Sequence, residues 1–141
     1  MSETQKILEL IECVDPEDSV ALDEIDERVF LFLLGDRKPR AYWNWKSCRS
    51  KDDGRVSIED WIKRGKPHKQ YTRSRDALKS IRPEGWHIFI YHFTIGFKAE
   101  LSRDRASMKP ILTKQIKHLP TEELAELHAI IQAREYERLE K

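Results

Sequence analysis

The chain is short of the residues that build redox and metal scaffolds, with two cysteines and five glycines in 141 residues. Cys13 and Cys48 belong to no C-x-x-C pair and have no histidine at metal-ligand spacing, so two reduced thiols are expected instead of a disulfide framework or a zinc ribbon. The glycines form neither G-x-G-x-x-G nor a phosphate-binding loop, and there is no G-x-S-x-G element. No apolar run approaches the ~20 residues that a bilayer-spanning helix needs. The opening MSETQKILEL also lacks the basic-then-apolar order of a secretory signal. A cytoplasmic protein without a membrane partner is expected.

Charge is abundant: 36% of residues are charged against 39% hydrophobic. The hydrophobic share still supports one ordinary core, and 141 residues leave little for a second, so a single domain over 1–141 is expected. The net charge of +1 conceals a partition. Residues 1–35 carry net −8, residues 36–82 net +9 and residues 83–141 net zero. Segregation of this size means either an acidic face lying against a basic one inside the molecule, or a basic surface meant for an anionic partner.

The order of start and stop signals predicts an α+β fold. Ser2 and Gln5 form a capping box ahead of Ile7, Leu8, Ile11 and Val14, predicting a helix over 3–14. Asp15-Pro16 ends it. A second helix is expected over 19–34, carrying Leu22, Ile25, Val29, Phe32 and Leu33 on one face, with Gly35 as its stop. Residues 36–51 read as a loop or irregular strand broken by Pro39, Asp52-Asp53-Gly54 as a turn, Ser57 to Lys63 as a strand or short helix, and 64–70 as a second loop. Thr72 and Ser74 then cap a short helix over 73–81 with Leu78 and Ile81 apolar, Pro83-Glu84-Gly85 breaks it, and an apolar strand opens at Trp86, which is expected to be buried.

Trp86 to Phe93 and Phe97 to Leu101, joined across Thr94-Ile95-Gly96, fit a β-hairpin. His87-Ile88-Phe89-Ile90-Tyr91 is apolar on both faces, so helices are expected on one side of the strand and partial burial on the other. A further strand from 40–46 or 55–58 fits the same small antiparallel sheet. Ser107 to Lys117 reads as a helix with Pro110 in its first turn. Thr121 caps a long last helix to about Leu139, whose narrow stripe of Leu124, Leu127 and Ile131 offers either an internal packing face or a homodimer seam.

The succession LDEIDERVFLFLLG (22–35), YTRSRDALKSIRPEGWHIFI (71–90), FKAEL (97–101) and RASMKPILTKQI (105–116) resembles the small bacteriophage and prophage proteins with a phage ABA-sandwich domain. The specific part is the core from Asp76-Ala77-Leu78 to Pro83-Glu84-Gly85-Trp86. A more aromatic hairpin and the long helix at 121–139 depart from that pattern. The resemblance implies a phage or prophage origin and an α/β fold, and brings no catalytic residues with it.

Candidate sites divide into a binding patch and several weak catalytic arrangements. Arg37, Lys38, Arg40, Tyr42, Trp43, Trp45, Lys46 and Arg49 interleave cations with flat rings, the combination that neutralises phosphates and stacks on bases. Lys63, Arg64, Lys66, His68, Lys69, Arg73 and Arg75 widen the positive region. The same residues also suit an acidic protein surface, or, as the favoured reading, the protein's own acidic helices with Trp43 and Trp45 as core anchors. Asp53 to Asp60 matches the second half of a calcium loop, but Arg49 and Lys51 occupy positions where anionic ligands are required, so DDG reads as a turn. Asp52, Asp53, Glu59 and Asp60 lack the Lys or His of a metal-dependent nuclease. His87 and His92, five apart on one strand, face opposite ways, while His118 and His128 read as surface or cap residues. No cofactor or metal is expected. The sequence therefore points to a non-enzymatic phage or prophage accessory protein that binds a host protein or ribonucleoprotein, in the manner of an anti-defence (anti-CRISPR-like) inhibitor. The alternative is a nucleic-acid-binding protein that uses the segment 37–49.

Overall fold

The computed structural model describes residues 2–34, 70–105 and 108–140. Four helices and a three-stranded antiparallel sheet make up this part of the chain: α1 (Glu3–Cys13), α2 (Ser19–Leu34), α3 (Arg75–Ile81), β1 (His87–Phe93), β2 (Gly96–Arg105), β3 (Met108–Leu112) and α4 (Glu122–Glu140). The fold is α+β, as the order of signals predicts. The segments 40–46 and 55–58, the turn at 52–54 and the stop at Gly35 lie outside the described residues.

Local chemistry accounts for the helix ends. Ser2 Oγ accepts from the Gln5 N–H and Gln5 Oε1 from the Ser2 N–H, which completes the capping box. Asp18 caps α2 through the Ala21 N–H, Ser74 caps α3 through the Ala77 N–H, and Thr121 caps α4 through the Leu124 N–H. The C-terminal end of α3 is held from a distance: the Arg134 guanidinium of α4 donates twice to the Ile81 carbonyl, at 3.0 and 2.7 Å.

Among the described elements α4 is central: it packs against β1, β2, α1 and α3, while α2 packs on α1. Every residue from Leu124 to Ile131 is buried, which an amphipathic surface helix with one apolar stripe would not show. One hydrophobic cluster draws on all the described helices and the sheet, including Ile7, Ile25, Leu78, Trp86, Leu101, Ile111 and Ile130. The stripe that suits a dimer seam is thus covered by the chain's own elements, and Leu139 near the helix end is left exposed.

The helix expected over 107–117 is not formed; Met108–Leu112 is β3, antiparallel to β2. Ser102 pairs with Leu112 and Arg103 with Ile111, but Arg105 pairs with Met108, so Lys109 and Pro110 lie together opposite Asp104 in a bulge. A proline lacks the N–H that a ladder needs, and a bulge on an edge strand is where that lack is tolerated. Past β3 the chain leaves the ladder but side chains keep it closed. Thr113 Oγ1 accepts from the Leu101 N–H and Gln115 Oε1 from the Ala99 N–H, and Phe97 and Leu119 then exchange two hydrogen bonds of 2.8 Å each. Gly96 sits under this closure with φ +145°, and a Cβ there would lie 2.7 Å from the Leu119 carbonyl oxygen.

Candidate binding face

The open side of the sheet is assembled from one side-chain parity. Odd residues of β1 stand on one face, and the register places Lys98 opposite Tyr91, Glu100 opposite Phe89 and Ser102 opposite His87 on that same face. Leu112 of β3, paired with Ser102, continues it. The even residues Ile88 and Ile90, with Ala99 and Leu101 opposite, turn to the core. The outward aromatics are left to solvent: Phe89 is 51% exposed, Tyr91 45% and Phe93 48%. This face is more open than the partial burial expected of it. Phe93 meets the His118 ring edge to face at 4.8 Å between centroids.

Beside the aromatic row lies a shallow groove of about 320 Å³, lined by Tyr91, Lys98, Glu100, Thr113, Lys114 and Ile116. It exists because 113–116 has left the β3 ladder, so the side chains of Thr113 and Gln115 span the gap to β2. Ile116 at its rim is 90% exposed. Two lysines, one glutamate, an aromatic and aliphatic groups suit the recognition of a surface or an extended chain. A contiguous apolar patch rimmed by polar groups is the usual mark of an interaction site.

Anchoring of this face begins at the PEGW turn. Gly85 takes φ +83°, a conformation that favours glycine. Trp86 then drops into the core at 6% exposure, as expected, edge-on to Tyr136 and under the Arg103 guanidinium at 5.3 Å. Its Nε1 donates to Glu137, so the chain is pinned to α4 immediately before β1 begins.

The ionic groups in the interior are each held against a partner of the same chain. Asp26 is fully buried and accepts from the Thr72 N–H and from Arg73, both at 2.9 Å, while Arg73 also donates to Asp23. Burial raises the Asp26 carboxyl above its ordinary value despite the opposing pull of Thr72 and Arg73. On Arg73 burial works downward, but the hydrogen bonds to Asp23 and Asp26 outweigh it and the guanidinium is held still more firmly charged. Glu126, buried on α4, accepts from Arg82, and its Oε2 has no hydrogen-bond partner among the described residues. His128 is also buried, 3% exposed, with Nε2 3.1 Å from Glu12. This corrects its reading as a surface residue: the helix turn that carries it faces α1, not solvent. Burial pushes the His128 imidazole below its usual value, with Glu12 acting the other way. None of these pairs opens onto the sheet groove.

Among the sequence candidates, Arg73 and Arg75 are the described ones, and both face acids of their own chain, Asp23 with Asp26 and Glu122 respectively. Arg73 thus joins the basic segment to the acidic one inside the molecule, whereas the acid that Arg75 meets belongs to the net-zero segment 83–141. Arg37, Lys38, Arg40, Tyr42, Trp43, Trp45, Lys46, Arg49, Lys63, Arg64 and Lys66 lie outside the described residues, as do Asp52, Asp53, Glu59 and Asp60. His87 and His92 do face opposite ways: His87 is on the open face and His92 reaches Glu122 at 2.9 Å. The open aromatic face was missed in the sequence although a signal for it was present, since Phe89, Tyr91 and Phe93 recur at period two. Set against family models, curated proteins and solved structures, the chain matches none of them.

Proposed function

We propose that this chain is a non-enzymatic accessory protein of phage or prophage origin that acts by binding a host protein, in the manner of an anti-defence inhibitor, with the open sheet face as its contact surface. The observation that carries the reading is the aromatic row Phe89, Tyr91 and Phe93, left about half exposed beside a groove that Ile116 rims. Exposed aromatics on a rigid sheet are efficient anchors, because they offer large contact area and have little rotamer freedom to lose. The DAL…PEGW resemblance supports the origin. The ionisable groups inside the molecule support binding over catalysis, since the buried acids and His128 are each held against a partner in the core.

A second reading, single-stranded nucleic acid, is favoured by one feature of the same face. Aromatic side chains two apart on a strand stand about 7 Å from each other, a separation suited to unstacked bases, and Lys98 and Lys114 lie beside them.

The test compares capture of a partner from host lysate by the intact chain and by Lys98→Ala/Ile116→Ser, which alters the groove at exposed or half-exposed positions. A host protein held by the first and lost by the second is expected. Equal capture by both removes the face from the reading. Binding of an unstructured oligonucleotide that weakens steeply with salt moves the assignment to nucleic acid.

A further inference from the structure

The outer edge of β1 has no partner among the described strands. Hydrogen bonds on the far side of β2 fix which backbone groups that edge presents. Phe97, Ala99 and Leu101 direct their N–H groups away from β1, to the Leu119 carbonyl, Gln115 and Thr113. In an antiparallel ladder alternate residues bond to opposite neighbours, so the even residues of β2 bond to β1. Their register partners are His87, Phe89, Tyr91 and Phe93. The N–H and C=O groups of Ile88, Ile90 and His92 therefore point outward, and no described strand pairs with them.

Edge strands are commonly protected by lysine, proline, a bulge or shortness. β1 has none of these: its seven residues, HIFIYHF, contain no Lys, Glu, Asp, Pro or Gly, and its register to β2 is unbroken throughout. The centre of its sequence is symmetric in character about Ile90, with aromatic Phe89 mirrored by aromatic Tyr91; further out, ring-bearing His87 mirrors ring-bearing Phe93 and Ile88 meets His92. A two-fold interface requires such self-complementarity, because each residue must suit its mirror position on the other copy.

We propose that two copies join antiparallel through β1 about a two-fold axis at Ile90. This register alone pairs all seven residues. It uses every outward group, placing Ile90 against Ile90 of the second copy and Ile88 against His92, with three N–H donors from each copy. Phe89 stands opposite Tyr91 on the open face, a cross-strand aromatic contact made twice, and the half-buried Ile88 and Ile90 gain cover on the core side. The strand carries no formal charge with its histidines neutral, so the copies meet without like-charge repulsion along the edge. The two three-stranded sheets become one continuous sheet with a doubled aromatic face. Self-association needs no host factor and is measured on the purified chain alone, so its failure and that of the functional reading are separable.

Sedimentation of the intact chain at about 100 μM, where a micromolar dimer is saturated, is expected to give a dimer. Two variants confined to the solvent face test the register. Phe89→Lys/Tyr91→Lys sets like charges opposite each other across the axis and is expected to weaken association about tenfold or more, whereas Phe89→Lys/Tyr91→Glu sets opposite charges there and is expected to restore much of it. Amide exchange at Ile88, Ile90 and His92 is expected to slow with rising protein concentration. A monomer at that concentration overturns the proposal, as does a dimer equally stable in both variants. Protection of those three amides that does not change with concentration assigns the edge to another segment of the same chain and also overturns it.

Discussion

Gly96 has φ +145°, and any Cβ at that position would press on the Leu119 carbonyl oxygen at 2.7 Å, whereas Gly85 at φ +83° has open space around it. The two glycines therefore separate steric from conformational strain. Gly85→Ala is expected to lower stability by about 1 kcal/mol. Gly96→Ala, which also forces apart the Phe97–Leu119 exchange, is expected to lower it by about 3 kcal/mol. Urea unfolding of the two variants checks the order. The Arg82–Glu126 pair makes a sharper contrast, because Glu126 is fully buried. Arg82→Ala strands that charge and is expected to remove about 3–5 kcal/mol, while Arg82→Met/Glu126→Leu, which removes both charges, is expected to be far milder.

His128 sets the pH response at the same scale. Its folded-state pKa is lowered from 6.5 by burial, so the native state prefers the neutral ring. Its contribution is fully present above pH 6.5 and is lost as pH falls from there through the lowered value, by up to about 1.4 kcal/mol per pH unit. Asp26 acts in the opposite sense, because its raised pKa makes the folded state take up a proton earlier than the unfolded chain as pH falls. Unfolding free energies measured at about pH 7.5 and pH 5.5 are expected to fall for the intact chain and to change less in His128→Gln.

Among the elements, those with capping chemistry were legible in the sequence. Ser2 with Gln5, Ser74 and Thr121 each mark a helix start within a residue or two, because a cap is satisfied by its nearest neighbours in sequence. The hairpin was legible for the same reason. Strand β3 was not, because Pro110 with Ile111, Leu112 and Ile116 fits the first turns of a helix as well as it fits a bulged edge strand; only the pairing with β2 decides between them. The burial of α4 was hidden in another way. Ala125, Ala129 and Ala133 look neutral in a helical pattern, yet all three are fully buried. Small residues at that spacing let neighbouring elements come close to the helix. Ala129→Leu is accordingly expected to cost about 1–3 kcal/mol through overpacking, read as a lowered Tm.

For the molecule as a whole, α4 contributes Leu124, Leu127, Ile130 and Ile131 to the core that sheet and helices share. A chain truncated after Thr121 is expected to lose the cooperative unfolding transition, as followed by circular dichroism, because α4 is the main helix that the sheet packs on among the described residues. The sequence by itself determined the α+β class, the helix starts, the hairpin and the burial of Trp86, all of which rest on neighbours close along the chain or on a large apolar side chain's aversion to water. Only the tertiary structure decided that the last helix is central, that His128 faces Glu12, that Arg73 and Arg75 answer acids of their own chain, and that Phe89, Tyr91 and Phe93 stand in the open. Those outcomes depend on which distant element arrives at which face, and periodicity says that a face is apolar without naming what will cover it.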